Sequence, residues 1–147
     1  MRTEGVFAPE TEAEAFESFD AVGPAAQTVV RETAKAMEFD REEYEDRVTG
    51  DVVETARDAM FASLLVVRVG DRGEYEAWLE DHADYEVHET GAENVDNVVW
   101  HVSPVAESVV AATFQSEPEA AVATLRRQAF GRIYRSMLKD DAGEGAE

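Results

Sequence analysis

Cysteine is absent from this 147-residue chain. That excludes a disulfide framework, a thiolate nucleophile and cysteine-bound zinc. No apolar run approaches the roughly 18 residues a membrane span needs. The opening Met1-Arg2-Thr3-Glu4-Gly5 leads into polar, acidic sequence rather than the apolar core of a signal peptide. A cytoplasmic setting is therefore expected. Lysine is nearly missing too, with only Lys35 and Lys139, so that eleven of the thirteen basic residues are arginine.

Acid is what the chain has in excess: 33 Asp and Glu, for a net charge of -20. Composition this acidic suits either a disordered chain or a folded one in concentrated salt. Disorder is excluded over most of the length, because 44% of the residues are hydrophobic and they recur in periodic segments. In molar salt the Debye length falls to about 3 Å, which screens the repulsion among surface carboxylates while they keep the surface hydrated. Arginine in place of lysine fits the same setting, since it forms bidentate ion pairs and exposes less bare aliphatic stem. A high-potassium cytoplasm is the reading that follows, with the acidity an adaptation to solvent rather than a device for a ligand.

Along the chain, helix signals come first. Thr11 and Glu14 form a capping-box pattern ahead of Ala15, Phe16 and Phe19. Pro24 suits the first turn of a helix that carries Ala26, Val29, Val30, Thr33 and Met37. Asp40 caps a short piece toward Gly50, and Asp51 is expected to open a helix bearing Val52, Val53, Ala56, Ala59 and Met60. From Leu64 the pattern shortens and becomes β-branched, predicting a strand to Val69 closed by Gly70, although continuation of the preceding helix over 61–69 is the alternative. Asp71 and Glu74 repeat the capping box before Tyr75, Trp78 and Leu79. Three strands follow, over 85–89, 98–102 and 109–114, and then a long helix expected to be capped by Ser116 with Glu119.

The predicted fold class is α+β: N-terminal helices, then a β-α-β-β-β-α unit whose long C-terminal helix lies on a roughly four-stranded, mainly antiparallel sheet. Residues 1–139 read as one compact domain and 140–147 as an acidic, flexible tail.

Candidate chemistry is sparse. A hairpin pairing Val87 with Val102 would set His88 opposite His101 on one face, close enough for a shared metal ion completed by Glu86, His82 or Asp84. The competing reading is two ordinary histidines on a solvated strand. No His-Glu-x-x-His, Gly-x-Ser-x-Gly, Gly-x-Gly-x-x-Gly or phosphate-loop pattern occurs, so no cofactor and no catalytic residue is expected, and an enzyme is the less favoured class.

The segment from Leu125 to Lys139 carries five basic residues and no acidic one. At 100° per residue, Val122, Leu125, Ala129, Phe130, Ile133 and Met137 form an apolar stripe, and Gln128, Arg132, Arg135 and Lys139 gather on the opposite side. That side could pack against the chain's own acidic half or a second copy of the chain, meet a protein partner, or contact the phosphates of a nucleic acid. Concentrated salt disfavours the nucleic acid, because counterion release then supplies little driving force. Arg126 projects from the apolar stripe, either snorkelling past the helix edge or paired with a half-buried carboxylate. Gly131 interrupts the helix, which suggests close approach of another element. Tyr134 and Leu138 widen the apolar surface, as contact with the helical half or a second copy would require.

Three runs carry a wider likeness: Gly23-Pro24-Ala25-Ala26-Gln27-Thr28-Val29-Val30, Phe39-Asp40-Arg41-Glu42-Glu43-Tyr44, and Leu125-Arg126-Arg127-Gln128-Ala129-Phe130-Gly131-Arg132-Ile133-Tyr134. With nearly the whole chain around them, they resemble an uncharacterised protein family of salt-loving archaea. The resemblance implies a halophilic cytoplasmic setting and carries no activity, cofactor or partner across. The function is thus expected to be non-catalytic, exercised through protein contacts or a homodimer, with a nucleic-acid accessory role and a histidine metal enzyme as the alternatives.

Overall fold

A computed structural model describes residues 1–140. The expected acidic tail lies, apart from its first residue, outside them. Strand β1 (Arg2–Glu4) is followed by helices α1 (Glu12–Ala21), α2 (Gly23–Ala36), α3 (Arg41–Arg47) and α4 (Gly50–Ser63). Then come β2 (Val67–Asp71), α5 (Arg72–Asp81), β3 (Glu86–Thr90), β4 (Asn97–Ser103) and β5 (Ser108–Phe114). The last helix, α6 (Pro118–Ala129), runs on as two π-wound segments, Phe130–Tyr134 and Ser136–Asp140. The fold is α+β, as the sequence pattern implies, and residues 67–71 are strand. No helix among the described residues is long and apolar enough to cross a membrane.

Local chemistry sets most of the helix starts. The Thr11 hydroxyl accepts from the Glu14 N–H at 3.1 Å, while the Glu14 carboxylate reaches one residue past the cap to the Glu10 N–H at 2.7 Å. Asp71 and Glu74 complete a reciprocal box, with bonds of 2.8 and 3.0 Å satisfying two end donors of α5. Two expected starts shift. Thr49, not Asp51, caps α4 through the Val52 N–H. At α6 the cap position is Glu117 with no side-chain bond, and Pro118 fills the first turn instead of a Ser116–Glu119 cap.

The sheet has five strands in the order β1-β2-β4-β5-β3. The strand β1 was not foreseen, and the expected β3–β4 hairpin does not form. β3 pairs in parallel with β5, with Val87 opposite Val109 and His88 opposite Val110, and β5 separates it from β4. The reason lies in burial. In β4 the consecutive residues Val98 to His101 are buried, as are Val109 to Ala111 in β5. Strands buried on both faces belong in the middle of a sheet, and the charged Glu86-Val87-His88-Glu89 run belongs at an edge.

Two cores flank the sheet. Val67, Val69, Val99 and Val110 face the larger one, which gathers Phe19, Phe61, Leu65, Leu125, Phe130 and Tyr134 from the helices. Phe61 lies at its centre, with its ring centroid 5.4–5.9 Å from those of Phe7, Phe19, Phe130 and Tyr134. On the other face, α5 lays Tyr75, Trp78 and Leu79 over Val98, Trp100, Val109 and Ala111. Arg57 fastens α1 to α4, donating to the Phe19 carbonyl at 3.0 Å and to Asp20 at 2.6 Å.

Where α4 gives way to β2 the chain passes through the larger core, and three successive carbonyls need donors. The Leu64 carbonyl accepts from the Val6 and Phe7 N–H groups at 2.7 and 2.8 Å. The Leu65 carbonyl accepts from Arg126 Nε at 2.9 Å, and the Val66 carbonyl from His101 Nδ1 at 2.6 Å. Gly5 (φ 118°) lies flat against this turn; a side chain there would put a Cβ 2.8 Å from the Val66 Cα. Among the described residues Arg126 is thus paired with a backbone carbonyl and with no carboxylate. It serves a buried backbone carbonyl from the apolar side of α6.

Because a carbonyl only accepts, His101 Nδ1 carries the proton, and Nε2 accepts from the Tyr134 hydroxyl at 2.7 Å. The buried Ser103 hydroxyl stands beside Tyr134. Burial pulls the His101 imidazole from its ordinary value down to about 4, against the opposing pull of the Val66 bond.

Two outcomes follow from this turn. Removing the guanidinium with Arg126→Ala strands the Leu65 carbonyl in the core and should cost about 1–3 kcal/mol, measured by denaturant unfolding; a loss within the range of ordinary surface changes would contradict the bond. For His101, the unfolded chain takes up a proton near pH 6.5 while the folded one waits until about 4. Its contribution to stability is thus complete above the upper value and lost as pH falls toward the lower. Histidine NMR should find this imidazole neutral down to about pH 4; protonation near the ordinary value would refute its burial.

Candidate functional site: the C-terminal helix and its flanks

The π winding explains why the basic side of the last helix is not one surface. A π turn holds about one residue more than an α turn, so each one sets later residues back by about 100°. One such turn carries Arg135 away from Gln128 and into line with Arg127. Two carry Lys139 to the far side, against α4. The same phase shift turns Ile133, Tyr134 and Leu138 into the core. Tyr134 and Leu138 therefore meet the protein's own helical half.

The four residues Gln128, Arg132, Arg135 and Lys139 are divided among three places. Lys139 Nζ is held by Glu54 at 2.7 Å and by both oxygens of Asp58 at 3.0 Å, which ties the end of the helix to α4. Gln128 faces a groove of about 460 Å³ between α6, the end of β5 and Thr90, and its Oε1 is buried without a donor among the described residues. Arg132 points toward the same sheet edge, with Nη1 3.5 Å from His88 Nδ1. Arg135 lies on the opposite flank, its guanidinium 5.4 Å above the Phe130 ring. There it shares a cleft of about 330 Å³ with Arg127, Thr55, Asp58, Ala59 and Ala62. Arg127 is the member that a wheel drawn at constant pitch leaves out.

The histidines do not converge. His88 and His101 share a face and a level of the sheet, but Val110 of β5 stands between them. Two strand spacings put them about 10 Å apart, too far for one ion. His101 has both ring nitrogens engaged, and His88 has Glu86 at 3.6 Å. His82 ends α5 beyond the other face, stacked on Trp78 at 4.0 Å and bonded through Nδ1 to the Trp78 carbonyl at 2.8 Å. No group of three or more His, Asp or Glu among the described residues is placed to hold a metal ion.

Gly131 is exposed, and a Cβ built on it meets nothing within 4 Å. Among the described residues the close approach expected there is absent.

Taken together these features define a small α+β protein with a mixed five-stranded sheet and a π-wound terminal helix. Over residues 6–135 the chain matches the family of unknown function DUF5809, and it belongs to that family. No curated protein and no solved structure matches it.

Since no neighbour among the described residues uses the space at Gly131, Gly131→Ala should raise stability by about 0.5–1 kcal/mol in denaturant unfolding. A loss instead would mean that the π winding itself depends on glycine.

Proposed function

We propose that this protein works through protein contacts rather than catalysis, and that its partner is a second copy of itself docked on α2 and α4. The observation that carries this reading is an apolar surface on the helical half. Val29, Met37 and Val52 remain 50%, 59% and 42% exposed. They border a groove of about 260 Å³ that Val30, Ala34 and Phe39 help to line. Large apolar side chains grouped in this way mark an interaction surface.

Charge favours a like partner. The neighbouring sequence holds Arg31, Lys35 and Arg47 beside Glu32, Glu38 and Asp51, so a copy related by a two-fold axis can set each sign against the other. The remaining acidic excess repels, and concentrated potassium in a cytoplasm of that kind would screen it. Two helices from each copy would then close over the apolar groove, in the manner of a four-helix packing.

Light scattering in about 2–3 M KCl, where exposed charges are screened, should give twice the chain mass. The change Met37→Glu should return the mass to that of one chain with unaltered circular dichroism. A strict monomer at high concentration, or a dimer indifferent to Met37→Glu, would remove the basis of the reading.

A further inference from the structure

The cleft between α4 and the last helix is unlike the rest of this acidic surface. Its lip holds two exposed guanidiniums, Arg127 and Arg135, and neither has an ion pair among the described residues. Arg127 makes one long contact, 3.4 Å to the Thr124 hydroxyl, and Arg135 rests over Phe130. Asp58, the one acidic residue lining the cleft among the described residues, has both oxygens on Lys139. The Thr55 hydroxyl is spent on the Asp51 carbonyl. What remains, among the described residues, is two positive forks without an ion pair, above a floor of Ala59, Ala62 and Phe130. An i, i+8 pair on a regular α-helix would diverge by about 80°; the π turn between them brings them onto one cleft, and such turns recur at functional sites.

We propose that this cleft binds a small organic phosphate, its phosphoryl oxygens shared by Arg127 and Arg135 and its carbon skeleton against Ala59, Ala62 and Phe130. A phosphoryl group offers three strong acceptor oxygens and nearly two negative charges, enough to engage both forks, where a carboxylate has two oxygens and one charge. The 330 Å³ of space exceeds what a bare phosphate fills, leaving room for the rest of the molecule. Arg132, on the other flank with His88, takes no part. The cleft shares no lining residue with the α2–α4 groove.

The test is a titration of the full chain with glycerol phosphate, in the lowest KCl that keeps it folded, followed through the arginine Nε–H signals by NMR. Saturable shifts should be confined to Arg127 and Arg135. The variants Arg127→Gln and Arg135→Gln should each weaken binding about tenfold or more, the scale of one charge-assisted hydrogen bond, while Arg132→Gln leaves it unchanged. Inorganic phosphate should bind more weakly than glycerol phosphate, and succinate more weakly than either. Absence of a saturable shift, or equal loss on Arg132→Gln, would overturn the site. Succinate binding as tightly as phosphate would overturn the phosphoryl assignment, and equal affinity for inorganic phosphate would overturn the role of the floor.

Discussion

A polypeptide that crosses its own core must find a partner for every carbonyl it carries there, because each unpaired one costs about 1–3 kcal/mol out of a net stability of about 5–15 kcal/mol. In this protein that demand is concentrated in the turn Leu64-Leu65-Val66, between the helical half and the sheet. The donors come from three distant places: the N-terminal segment, the side chain of Arg126 on the last helix, and His101 in the centre of the sheet. Each is positioned by something else. Gly5 lets the first segment lie close, the apolar face of α6 carries Arg126 inward, and Tyr134 holds the far nitrogen of His101. The turn thus links the N-terminal segment, the sheet and both sets of helices through three backbone carbonyls, one met by backbone N–H groups and two by side chains.

The last helix is wound to meet that arrangement. Its first half packs as an α-helix with Arg126 directed at Leu65. Past Ala129 the π turns swing Tyr134 onto His101 and Leu138 into the larger core, and deliver Lys139 to Glu54 and Asp58. One consequence is at the surface. Of the basic residues that a constant pitch would stack in a single stripe, Lys139 goes against α4, Arg135 joins Arg127 on one flank, and Arg132 stays with His88 on the other.

What could be read in advance follows from the range of the interaction. The Asp71–Glu74 box and the Thr11 and Asp40 caps involve residues three apart, so composition and spacing determine them. The alternation of helices and strands was legible for the same reason, and so was the oddity of Arg126 on an apolar face. The identity of its partner was not, because Leu65 is 61 residues away and offers only backbone. The neighbour of β3 was hidden likewise: pairing Val87 with Val102 satisfies one face, and only the two-sided burial of β5 shows that it must lie between them. The π winding had no signature in the sequence, since every wheel assumes a fixed angle per residue; the surplus of apolar positions at Tyr134 and Leu138 was its one visible trace.

If the Leu64–Val66 turn binds the helical half to the sheet, the two should unfold as one. Urea unfolding followed at once by far-ultraviolet ellipticity, dominated by the helices, and by tryptophan fluorescence from Trp100 in β4 and Trp78 on the α5 that covers it, tests that most directly. Superimposable transitions with a single midpoint are expected. Loss of ellipticity from the helical half while the tryptophan signal stayed native would show that the two are held together by something weaker than this turn.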